Sequence, residues 1–334
     1  MVSSTSAWDG RLSSTDSSND IFRRTGVQQA QGAIAAERRT QMEINTEDIG
    51  CKCMPTMVTI TPRMIMNFAA GIGDLNPWHL DDTRPEGIIA PPMLVVALTW
   101  PISSDFPNGW PGLKSNPEAV ARQVHYTEMI EWFRPMLPGE DLRIEGEVSA
   151  ILPHRAGAHV ILEYRATDRA GNLVFIERTG AMMRGVSCSG GKRCRDPFPP
   201  DPTEIRENNG PLWEQNIPIG PLAAHIYDGC ANIHFPIHTS TAFARMVGLP
   251  NPIYQGTATL SHALREIIQQ EAENDPRRVR ALRCRFTGMV PLDSSITVQA
   301  LARINRGNLQ DIHFKVLNAA GKAAVRNGCA TICF

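Results

Sequence analysis

Trp132-Phe-Arg-Pro-Met-Leu-Pro138 and Arg285-Phe-Thr-Gly-Met-Val-Pro291 are two versions of one phrase. Laid over each other they pair Phe133 with Phe286, Met136 with Met289 and Pro138 with Pro291, and each reads as a strand end running into a Pro-led turn. Downstream, Leu142 and Ile296 match once one residue is added to the second half, a slip that a turn tolerates. Asp168-Arg-Ala-Gly-Asn172 and Asn318-Ala-Ala-Gly-Lys322 then match as turns between strands. The chain reads as a duplication of one unit.

Outward from that phrase, alternating apolar residues predict strands at about 123–134, 140–152, 157–169 and 172–185, and again at about 279–290, 295–303, 309–318 and 322–333. Upstream of each set lies one apolar helix. Thr257 to Glu271 places Leu260, Leu264, Ile267 and Ile268 on one face, with Gly256 at its start, and Pro92 to Trp100 is apolar all round, as a buried helix is. The fold class expected is α+β: two antiparallel sheets, each wrapped on a central helix, with the halves able to join edge to edge and so hide their edge strands. Residues 1–45, rich in Ser, Asp, Gln and Arg, read as a disordered tail, and 188–217, where Gly, Pro and charges replace alternation, as a linker. The two halves are then 46–187 and 218–334.

The chain has 334 residues, with 33 Lys plus Arg against 34 Asp plus Glu, and no run of like charge that would neutralise several phosphates. Nucleic acid is not an expected partner. The most apolar stretch, Gly87 to Ile102, is shorter than a spanning helix and carries three prolines, so no membrane partner is expected either. The first twenty residues lack a basic start and an apolar run, and the final CATICF is neither a prenylation box nor a peroxisomal tripeptide. Eight cysteines include no CxxC pair and read as reduced thiols. A cytoplasmic address, no metal and no cofactor are the expectations.

Phe68-Ala-Ala-Gly-Ile-Gly-Asp-Leu-Asn-Pro-Trp-His79 is the stretch that carries chemistry. It puts Asp74 and His79 on an irregular loop after a helical pattern, where both side chains can turn to one point. A carboxylate beside an imidazole can orient a water and move its proton. The plain structural alternative is a Pro-stiffened turn in which Asp74 caps backbone groups and His79 packs at the surface.

The string GDxNPxH, followed by Ile88-Ile-Ala-Pro-Pro-Met-Leu94, resembles the MaoC-like and (R)-specific enoyl-CoA hydratase family, whose members have the hot-dog fold. The resemblance runs from about residue 47 to 334 and includes the duplication of double-hot-dog members. It implies a hydro-lyase acting at the α,β-position of an acyl thioester or related activated carbonyl compound, with coenzyme A or a carrier protein as the alternative carriers, Asp74 and His79 as the catalytic pair and Asn76 orienting water or substrate. A helix N-terminus would hold the thioester oxygen. The usual His-Gly at that point is Pro91-Pro92 here, and proline has no N–H to give. The donor is then Met93 or, in a composite site, Gly256. In the second half, Cys230-Ala-Asn-Ile-His-Phe-Pro-Ile-His-Thr239 keeps Pro236 and His238 but has Ile233 in place of Asp74, leaving Asn232, His234 and His238 as the makings of a polar pocket. An isomerase or cyclase using the same pair, and a non-catalytic acyl-binding protein, are the rival readings, and a homodimer is one expected assembly.

Overall fold

In the computed structural model, which describes residues 42–110, 113, 119, 123–196, 205 and 210–334, the duplication is laid out in the sheet. The strands are β1 (Glu43–Asn45), β2 (Thr56–Thr59), β3 (Gln123–Trp132), β4 (Asp141–His154), β5 (Gly157–Thr167), β6 (Leu173–Arg184), β7 (Ser187–Ser189), β8 (Arg193–Cys194), β9 (Trp213–Ile219), β10 (Val279–Phe286), β11 (Ser294–Arg306), β12 (Leu309–Asn318) and β13 (Ala323–Cys333). One sheet runs β2-β4-β5-β6-β3-β10-β13-β12-β11-β9, with β8 beside β4. Read from its middle the order is the same in both directions, each half spending its first long strand on the seam. There β3 and β10 pair antiparallel, with Ile130 opposite Leu282 and Glu128 opposite Cys284. The halves do join edge to edge, and among the described residues short strands form the rims, β2 and β8 along β4 and β9 along β11.

The helices are α1 (Pro62–Gly71), α2 (Pro77–Leu80), α3 (Val95–Gly109, after a 3₁₀ turn at Pro92–Leu94), α4 (Ala223–Ala231), α5 (Thr241–Met246) and α6 (Gly256–Glu271). In the long helices α3 and α6, Val95, Leu98 and Ile102, and Leu260, Leu264 and Ile267, are buried. Where the sequence reading stopped the first of these at Trp100, α3 continues through Pro101 and Pro107. Burial of Ile102 and Phe106 outweighs the lost backbone bond, and the Ser103 and Ser104 hydroxyls donate to the carbonyls of Thr99 and Pro101.

The repeat holds, but its register is one residue off the sequence overlay. Phe133 N–H bonds the Val174 carbonyl and Thr287 N–H bonds that of Ala324, so Phe133 corresponds to Thr287, and Trp132 to Phe286. Likewise Ala90 N–H bonds Met136 O and Tyr254 N–H bonds Val290 O, which puts buried Met136 over buried Val290 and leaves Met289 exposed. In this register Trp132 and Leu142, like Phe286 and Ile296, are ten residues apart, so the turn needs no added residue. A one-residue slip exchanges the faces of a strand, and burial decides the register. At the margins, Glu43–Asn45, inside the segment read as tail, pair in parallel with Ser187–Ser189 around buried Ile44. Strand β9 begins inside the segment read as linker. Residues 1–41 of the expected tail lie outside the described residues.

Candidate active site

Each residue of Gly73-Asp-Leu-Asn-Pro-Trp-His79 has a local backbone reason. Helix α1 ends in a Schellman turn: Gly73 takes the left-handed conformation (φ +60°), its N–H bonds Ala70 O, and Asp74 N–H bonds Ala69 O at 2.8 Å. Asn76 caps α2 by accepting from Trp78 N–H, and Pro77 fills the first helical position, where a missing N–H costs nothing. His79 thus sits in a one-turn helix rather than in irregular loop, and it is wholly buried, not at the surface. The reversal turns Asp74, 7% exposed, back toward it.

Asp74 Oδ1 accepts from the Asn76 N–H at 3.0 Å, while Oδ2 lies 3.7 Å from His79 Nε2. His79 Nδ1 is 2.8 Å from the Ile89 carbonyl, an acceptor only, so this nitrogen carries the proton and donates it. The Nε2 lone pair is left facing Asp74 Oδ2. Two acceptors 3.7 Å apart do not bond each other, but one water can donate an O–H to each. Burial lowers the His79 pKa, outweighing the opposite pull of the Asp74 charge and the Ile89 bond, and so keeps the imidazole neutral. A neutral imidazole beside a carboxylate is a competent proton acceptor.

The bond to Ile89 ties this pair to the chain that enters α3. Met93, 2% exposed, stands in the 3₁₀ turn that starts the helix, and its N–H is one of the first-turn donors that no carbonyl of the helix can reach. Pro92 contributes its carbonyl instead, held by Trp132 Nε1 at 3.1 Å. A narrow groove passes this point, lined by Pro92, Arg134, Arg277 and Arg280 among others, with room for about 20 Å³, roughly one water.

Asn76 has a different role from the one expected. Its amide nitrogen donates to the carbonyl and the side-chain oxygen of Asn274, each at 3.0 Å, so both of its protons are spent on the second half. Sequence reading missed Asn274, and it missed Arg265 on α6, whose Nη1 donates to the carbonyls of Ile72 and Gly73 at the end of α1. The adjacent charges Arg265 and Glu266 in the middle of a helix expected to be central were the available signal. Trp78 is clasped between the guanidinium groups of Arg84 and Arg277, each 3.9 Å from its ring, which fastens the same loop again.

Asn232, His238 and Gly256 do not join this site. Arg265 and Asn274 touch the Asp74 loop from the C-terminal half and far end of α6, while Gly256 begins that helix; its 16 residues span about 24 Å. The Gly256 amide thus lies at the other end of α6 from the contacts with the Asp74 loop, and the Phe286 ring stands beside it: a Cβ on Gly256 would meet that ring at 3.2 Å. Asn232 takes the part of Gly73, ending α4 in the left-handed conformation (φ 56°), and its exposed side chain bonds His234 rather than lining a pocket with His238. His238 keeps the posture of His79, with Nδ1 2.9 Å from the Ile253 carbonyl, but buried Ile233 gives it no acid partner.

Comparison with known proteins agrees with this duplicated geometry. Residues 206–321 match the profile of the MaoC like domain, and residues 47–177 that of the FAS1-like dehydratase domain region. The peroxisomal multifunctional enzyme type 2 of Drosophila melanogaster is 22% identical over 84% of this chain and 48% of its own length. Enoyl-CoA hydratase 2, peroxisomal, of Arabidopsis thaliana is 28% identical over 56% of this chain and 62% of its own. The mouse peroxisomal multifunctional enzyme type 2 is matched over 28% of its length, so the chain spans a quarter to less than two thirds of these relatives. Among solved structures, the MaoC-like dehydratase of Phytophthora capsici superposes with a TM-score of 0.73 at 20% identity, covering 86% of this chain and 97% of that one. A Mycobacterium tuberculosis protein described as a double hotdog fold superposes at 0.53 with 14% identity, covering 84% and 96%. With both halves matched and joined at one seam, the chain has the double-hot-dog fold, with a MaoC like domain in its second half and a FAS1-like dehydratase region in its first.

Proposed function

We propose that the protein is a hydro-lyase that adds water to, or removes it from, the α,β-position of an acyl thioester. The observation that carries this is the buried pair itself: Asp74 Oδ2 and His79 Nε2, 3.7 Å apart, both accepting, with the histidine tautomer fixed by Ile89. In the hydration direction a water held by both donates one proton to the pair as its oxygen bonds Cβ. The pair returns a proton to Cα, so that one water is consumed and no charge accumulates. The first-turn donor at Met93 receives the thioester oxygen as negative charge develops there. Arg280, whose guanidinium donates to the carbonyls of Arg277 and Val279, offers its charge to the phosphates of a carrier such as coenzyme A in the adjoining groove. The names of the relatives, enoyl-CoA hydratase among them, support the same reaction class.

The test is mass spectrometry of purified protein with α,β-unsaturated and β-hydroxy acyl thioesters. The expected result is gain or loss of one water, abolished in Asp74→Asn. A product of unchanged mass would turn the reading to an isomerase or cyclase. We also propose a cytosolic location, in keeping with the free thiols of all eight cysteines, and a homodimer, to be checked by cell fractionation and light scattering.

A further inference from the structure

A cavity of about 380 Å³ opens between α1, β2, α3 and the end of α4. Its α3 wall is Leu94, Ala97, Leu98 and Pro101, the i, i+3, i+4, i+7 stripe of one helix face, and it begins one residue past the Met93 donor. Met57, Val58, Met64 and Ala231 add to the apolar lining. The opposite lip is polar. It carries Asn67 and Arg63 from α1, and the exposed Arg63 guanidinium pairs with no carboxylate among the described residues. Arg63 also sits in the first turn of the ten-residue α1, whose dipole adds positive potential at the same place.

From Leu94 to Pro101 the wall runs about 10 Å along the helix axis. Carbon–carbon bonds of roughly 1.5 Å, zig-zagging at tetrahedral angles, cover that in about eight carbons. A plain alkyl chain laid along that wall would offer no hydrogen bond to Arg63 or Asn67 on the facing lip. A chain ending in a carboxylate would offer the guanidinium two parallel charge-assisted bonds and the Asn67 amide an acceptor.

We infer that this cavity receives the far end of the acyl chain and selects medium-length chains that end in a carboxylate, which Arg63 pairs and Asn67 hydrogen-bonds. The substrate class is then the monothioesters of dicarboxylic acids. This rests on the hydro-lyase reading for the position of the thioester, and the test keeps the two separate by using saturated ligands that cannot be hydrated.

The experiment is calorimetric titration of the full chain, and of Arg63→Ala and Arg63→Glu, with octanoyl-CoA and with the coenzyme A monothioester of octanedioic acid. Wild type is expected to bind the diacid derivative at least tenfold more tightly. Arg63→Ala should bind the two alike, and Arg63→Glu should prefer the plain chain. Equal affinities in wild type, a preference for octanoyl-CoA, no binding of either, or a diacid preference that survives Arg63→Ala would each overturn the inference. So would an ω-hydroxyl chain that binds as tightly as the diacid. If the binding preference holds while neither unsaturated counterpart is hydrated, the cavity assignment stands and the hydro-lyase reading falls.

Discussion

At the scale of single residues, the site depends on two acceptor atoms, Asp74 Oδ2 and His79 Nε2, held 3.7 Å apart. Asp74→Asn and His79→Ala should each lower kcat by at least the roughly 100-fold typical of a lost general acid or base, with circular dichroism unchanged. Full turnover in either variant would remove that residue from the chemistry. His238, held alike by a main-chain carbonyl but facing Ile233, should tolerate Ala with less than tenfold loss, and a larger loss than for His79→Ala would move the working site to the second half. Because burial lowers the His79 pKa, the neutral base persists below the ordinary histidine range. Linkage gives the same sign for stability: with the folded pKa depressed, the contribution is present above the unfolded pKa, about 6.5, and is lost as pH falls toward the folded value. Activity should therefore begin to decline only below the ordinary histidine value, and a kcat profile that breaks at or above 6.5 would contradict it. The pair was legible in sequence because its residue types are chemical. The commitment of Asn76 to Asn274 was not, since that partner comes from the other half of the chain.

At the scale of elements, the end of α1 and the start of α3 hold the pair between them, and α6 holds the first of these. Arg265 satisfies the Ile72 and Gly73 carbonyls that the Schellman turn leaves open, and Glu266 fixes its guanidinium through Nε and Nη2. Arg265→Met keeps the apolar stem and removes these bonds. It should lower kcat roughly 10- to 100-fold, as displacement of a reacting group by about 1 Å does, while leaving KM and the thermal transition little changed. A loss expressed in KM alone would show that Arg265 serves binding and not the position of Asp74. The helices and long strands could be read from periodicity because each buries a regular stripe. The rim strands β2 and β9 could not, since they are short and their burial alternates weakly. The repeat register was misread for a related reason: Phe133 and Phe286 are alike in sequence, yet the fold buries Trp132 and Met136 in the first half and Val290 in the second, in a register set by backbone bonds that composition does not display.

At the scale of the whole molecule, the seam of the sheet carries an unusual load. Glu128 on β3 and Glu177 on β6 are both fully buried. Burial pushes Glu128 up to about 8, and burial together with the Glu128 charge pushes Glu177 well above the usual carboxylate range. Burial also lowers His125, 3.0 Å from Glu128, to about 4, so the acid and the imidazole are both largely neutral at pH 7. Thr179 donates to Glu128 Oε2 at 2.9 Å, and Cys284 and Tyr164 near these acids are likewise held in their neutral forms. A raised folded pKa gives stability that is fully present below the unfolded value, near 4.5, and is lost as pH rises through about 8. At about 1.4 kcal/mol for each pH unit crossed, the loss amounts to several kcal/mol, a large share of what holds a domain folded. Glu128→Gln keeps the shape and the bond to Thr179, and its amide can donate to Glu177, while nothing remains at this position to ionise. In urea titrations the variant should match wild type near pH 5 and exceed it by a few kcal/mol at pH 8.5. Parallel curves across that range would mean that Glu128 is already ionised in the fold, and the seam would then be held by a charged pair with His125.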